Sequence, residues 1–123
     1  MDAKTELENY WFYQKLIPCN NDELARLEQI ATFPMTYETA AKFAAYKADV
    51  EADIARCLGL MEAIETAITD ILNERHRAIL WLKYVEGMTW KEIAETLECD
   101  YTGVQKTAAK VIFRLTIQPL KTG

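Results

Sequence analysis

The chain has 123 residues, half of them hydrophobic, which suffices for one small core and excludes global disorder. Only four Gly and three Pro occur, so an all-α protein is expected; three scattered cysteines and one histidine exclude the usual zinc constellations. The net charge of -5 is unevenly placed, with 6 Lys/Arg against 13 Asp/Glu in residues 1–72 and 8 against 6 in residues 73–123, and phosphate affinity follows the local face rather than the total.

The first predicted helix runs from about Ala3 to Leu16 and carries Leu7 and four consecutive aromatics, Tyr10, Trp11, Phe12 and Tyr13. At 100° per residue these four spread around the helix, so they cannot all face one core. Pro18 and the pair Asn20 and Asn21 are expected to break this helix, with an Asn capping a second short one from Asp22 to Ala31. Phe33 and Pro34 end that piece.

The third predicted helix is the longest, about Tyr37 to Leu72. Ala40, Phe43, Lys47, Val50, Ile54, Cys57, Met61, Ile64, Ile68 and Ile71 recur at alternating intervals of three and four, the pattern of a coiled-coil-like seam. Such a seam packs back on the preceding helices, pairs with a second copy, or does both. Tyr10, Trp11, Tyr13, Phe43, Val50, Ile54 and Met61 are the residues expected to make oligomer or partner contacts.

Three short helices are predicted next. The first spans about Glu74 to Glu86 and stops at Gly87, a residue suited to a helix C-terminus. Thr89 caps the second, and Thr89-Trp90-Lys91-Glu92 reads as a capping box. After the short link Glu98-Cys99-Asp100, Asp100 caps a third helix, about Tyr101 to Leu115, and Thr116 to Gly123 forms a tail. Ala94 supplies the small side chain that two closely crossing helices need. Lys106, Lys110 and Arg114 lie four residues apart on one stripe, and no acidic residue occurs from Tyr101 onward.

The segment from Leu72 to Leu115, and above all the string Glu86-Gly87-Met88-Thr89-Trp90-Lys91-Glu92-Ile93-Ala94-Glu95-Thr96-Leu97, resembles region 4 of sigma-70-type factors. The layout of a long acidic arm before this motif is similar to small phage-encoded transcription regulators of the ArpU/RinA type. The resemblance implies that the last helix enters the major groove of double-stranded DNA. Tyr101, Thr102, Gln105 and Lys106 would then meet base edges, and Lys110, Arg114, Lys91, Arg75 and Arg77 phosphates. Where the family favours Arg, Gln105 and Thr107 stand here, and Asp100 replaces Ser or Thr. This thin charge points to a homodimer, or to action with RNA polymerase, as the way to sufficient affinity.

The organisation expected is an arm (residues 1–71), a helix-turn-helix (72–116) and a tail (117–123). A cytoplasmic transcription regulator follows, with no membrane segment, cofactor, metal or small-molecule substrate, and with no enzymatic constellation. The rival readings are a small-terminase-like packaging protein and a sigma-like module that grips a host protein.

Overall fold

The computed structural model describes residues 2–118; the part of the expected tail from residue 119 onward lies outside them. The described residues form helices joined by turns. Helix α1 spans Ala3–Ile30 and is capped by Asp2, whose carboxylate accepts the Lys4 N–H at 3.3 Å. Helix α2 spans Tyr37–Thr69 and is capped by Thr36, whose hydroxyl accepts the Thr39 N–H.

The two form an antiparallel hairpin. The Tyr46 hydroxyl donates to Glu23 at 3.2 Å near the turn, whereas Tyr10 lies beside Glu65 at the other end. The expected break at Pro18 does not occur, and α1 runs on through Pro18 for 28 residues. The reason is periodicity. Tyr10, Tyr13, Ile17, Asn20, Leu24 and Leu27 keep a three-four spacing across the proline, so one continuous helix keeps its apolar row on α2. Pro18 itself is exposed; its missing N–H and ring clash are borne on the outer side. Asn20 therefore sits on the seam instead of capping a helix, with its amide nitrogen buried and without a hydrogen-bond partner.

The seam predicted on α2 faces α1 of the same chain. Val50, Cys57, Ile64 and Ile68 are buried; Phe43, Lys47, Ile54, Met61 and Ile71 are half-buried; Ala40 is exposed. Of the aromatic quartet, Tyr10 and Tyr13 point inward while Trp11 and Phe12 are exposed. Among the residues expected to make oligomer or partner contacts, Tyr10, Tyr13 and Val50 are thus enclosed by the chain itself. Phe43, Ile54 and Met61 are partly enclosed, and Trp11 keeps an open edge.

Asn73 caps helix α3 (Glu74–Leu80) by accepting the Arg75 and His76 N–H groups at 3.0 and 3.1 Å. The helix widens into a π-helical turn over Trp81–Val85 and ends at Gly87, whose φ of 76° is a left-handed conformation that suits glycine. A second reason for glycine is spatial: a Cβ at this position would fall on the ring of Trp11 from α1. Helix α4 (Trp90–Thr96) and helix α5 (Tyr101–Arg114) complete the fold.

One core runs through all of these elements. Leu7, Tyr10 and Tyr13 of α1 and Cys57, Ile64 and Ile68 of α2 pack with Ile79, Leu80 and Tyr84, and with Ile93, Ala94, Val104 and Ala108. The expected division at residue 72 therefore marks a turn in the chain, while the core continues across it. Burial, with Glu65 beside Tyr10 and Glu8 beside Tyr84, pushes both phenols above their ordinary pKa. No helix among the described residues is long and apolar enough to cross a membrane.

Candidate nucleic-acid interface

The last two helices are set by local chemistry. Thr89 and Glu92 form the expected capping box: the Thr89 hydroxyl accepts the Glu92 N–H at 3.2 Å, and the Glu92 carboxylate accepts the Thr89 N–H at 3.1 Å. That bond holds the Glu92 carboxyl below the usual carboxylate range. At the far end of α4, Glu98 donates its N–H to the Glu95 carbonyl and Cys99 donates to the Ala94 carbonyl at 2.9 Å. This is a Schellman closure, with Glu98 in the left-handed position at φ 53°. Asp100 then accepts the Gly103 N–H at 3.1 Å and starts α5.

With α4 and α5 fixed, α5 turns Val104 and Ala108 inward and leaves Thr102, Lys106, Ala109, Lys110, Phe113 and Arg114 exposed. Gln105 is half-buried and its amide donates to the Tyr101 hydroxyl at 3.4 Å, which holds two expected base readers against each other. Lys110 and Arg114 line a cavity of about 420 Å³ with His76 and Thr107, between α5 and α3. Arg75 lines a smaller cleft of about 140 Å³ with Asp100, Gly103 and Thr107, nearer the start of α5. Arg75, Lys110 and Arg114 thus flank one side of the last helix, and Lys91 is exposed at the start of α4.

Arg77 is placed differently. Its guanidinium donates to the Ile71 carbonyl at 2.8 Å in a part-buried position, and it lines a cavity with Thr69, Glu74 and Trp81. Its geometry ties down the α2–α3 turn and does not join the α5 face, because the carbonyls at the end of α2 need donors. Lys83, which sequence reasoning did not single out, sits 4.8 Å from the centre of the Trp90 ring in a cation–π contact. Phe113 was also missed. It is 91% exposed, and the available signal was its place seven residues after Lys106.

The ion pairs found among the described residues, Arg26–Glu23, Lys42–Glu38 and Arg56–Asp53, all lie in the hairpin. The cations of α5 have no carboxylate partner among the described residues. A capped two-helix unit closed by a tight turn, with the second helix presenting unpaired cations, is the geometry of a helix-turn-helix.

Residues 61–111 match the family model for sigma-70, region 4. The C-terminal part of the chain is a sigma-70 region 4-like helix-turn-helix. No curated protein and no solved structure gives a match to the chain. The sigma-70 region 4 match begins inside α2, at residue 61, and so includes the buried Ala63, Ile64 and Ile68. The family is one of DNA-binding domains, and α5 is the second helix of the capped two-helix unit. Its outward face here combines Lys106, Lys110 and Arg114 with Thr102, Ala109 and Phe113. Glu95, Glu98 and Asp100 lie exposed just before it, and their charge disfavours an anion there.

Proposed function

We propose that the chain is a sequence-specific DNA-binding transcription regulator whose α5 lies in the major groove. The observation that carries this reading is the outward face of α5, which bears three unpaired cations and no carboxylate on a helix held by the Thr89 and Asp100 caps. Thr102, Lys106 and the Tyr101–Gln105 pair address base edges, while Lys110, Arg114, Arg75 and Lys91 hold phosphates. The acidic arm preceding the motif supports a phage-derived regulator of the ArpU/RinA type, acting as a homodimer or beside RNA polymerase. Two copies double a set of phosphate contacts that is small in one.

Fluorescence anisotropy of the full chain on duplex DNA across a salt series tests this. Four phosphate contacts correspond to a slope of about -3.6 in log affinity against log salt per copy, and Lys110→Ala should flatten it by about one. No binding even at low salt would overturn the reading.

A second reading, a sigma-like module that grips another protein, is favoured by one observation. Phe33, Tyr37 and Tyr46 are exposed around the far end of the acidic hairpin, and this reading becomes the preferred one if the anisotropy experiment fails.

A further inference from the structure

Phe113 is the one large apolar side chain that stands out from the cationic face of α5, at 91% exposure. Phe113 follows Lys106 by seven residues and Ala109 by four, which places it within about 20° and about 40° of them around the helix. Lys106, Ala109 and Phe113 thus form one row, with Lys110 and Arg114 along its flank. Across a groove of about 480 Å³ the same ring faces the start of α1, where Asp2, Ala3 and Lys4 stand.

We infer that Phe113 contacts the 5-methyl group of a thymine in the major groove, and so sets part of the sequence preference of α5. The inference rests on the DNA-binding reading above and deepens it. Its argument is chemical. An exposed phenyl ring gains by covering apolar surface, and the thymine methyl is the apolar feature that base pairs offer in the major groove. Lys106, Lys110 and Arg114 are exposed on the same face of α5, so a surface that matches this face carries negative charge with an apolar group between. The phosphate-lined major groove over an A·T pair has that arrangement. A rise of 1.5 Å per residue puts Phe113 about 10 Å beyond Lys106 along α5, which projects to at most about three base pairs along the duplex.

The test uses the full chain and a duplex enriched by selection from a random-sequence library. Each thymine of that duplex is replaced in turn by deoxyuridine, which removes only the methyl group. The wild type should lose about fourfold in affinity at one position, the equivalent of one methyl leaving an apolar contact. That position should lie within about three base pairs of the pair whose preference relaxes in Lys106→Ala. Phe113→Ala should bind the parent duplex more weakly and be indifferent to the same replacement, whereas Phe113→Leu should retain part of the sensitivity. Unchanged thermal unfolding of both variants is expected, since the side chain lies outside the core. The thymine contact is overturned if the wild type binds every deoxyuridine duplex like the parent, or if Phe113→Ala keeps the sensitivity. If selection enriches no duplex at all, the DNA-binding reading fails, and this inference falls with it. Enrichment without a deoxyuridine effect removes the thymine contact alone.

Discussion

Two residues carry the conformations that close the helix ends around the motif. Glu98 occupies a left-handed position where a Cβ is penalised, and its charge sits at the negative end of α4. Glu98→Gly should therefore stabilise the fold by about 0.5–1 kcal/mol, read as a shift of the urea midpoint at constant slope. Gly87 presents the reverse case. Gly87→Ala forces a side chain into a positive φ and onto the Trp11 ring, and a loss of more than about 1 kcal/mol is expected in the same measurement. Glu92 adds a pH dependence. Its folded-state pKa lies below the ordinary value, so its contribution is present above the ordinary carboxylate range and is lost as pH falls through the folded pKa. Thermal unfolding from pH 7 down to pH 3 should show a gap between the wild type and Glu92→Gln that closes with acidification. A gap independent of pH would mean that the carboxylate charge contributes nothing to the cap.

At the scale of elements, α1 is the instructive case. In the sequence the three-four row from Tyr10 to Leu27 competes with the local break signals of Pro18 and Asn20-Asn21. Local propensity favoured a break, whereas packing against the 33 residues of α2 favoured continuity, and packing prevailed. The price is a polar side chain on an apolar row, with the Asn20 amide nitrogen buried and unpartnered. Asn20→Leu should stabilise the hairpin by about 1–3 kcal/mol without altering DNA binding; a destabilised variant would show that the amide has a partner or that the seam there is wet. The helix-turn-helix was more legible, because the capping box, the small Ala94 and the Asp100 cap are local signals that tertiary context did not overrule. Its π-helical turn at Trp81–Val85 was not, since the widening has no composition signature. For Arg77 the sequence records a charge and not the Ile71 carbonyl that its guanidinium meets.

For the whole molecule, the arm and the helix-turn-helix share a core, and neither is complete alone. Leu7, Tyr10 and Tyr13 reach the motif from a segment more than fifty residues upstream. A fragment restricted to residues 72–116 loses these side chains together with Ile64 and Ile68, so it should show no cooperative thermal transition by circular dichroism. The full chain should unfold in one step. Two separate transitions in the full chain, or a cooperative fragment, would show that the helix-turn-helix folds independently of the hairpin. Sequence reading could not foresee this sharing, because the contacts join distant segments and leave no periodic trace.

The contact between Trp11 and the Gly87 turn has a consequence for reach and bearing. It keys the hairpin to the motif on the solvent side, just as the tyrosines do from within. Helix α2 alone is about 50 Å long, close to one and a half turns of B-form DNA. With α5 in the groove as proposed above, a protein held at the hairpin's far end would be carried at a fixed rotational phase about the duplex axis. Moving that protein's own DNA site by half a helical turn, about five base pairs, sets the two on opposite sides of the duplex, and a full turn brings them back into line.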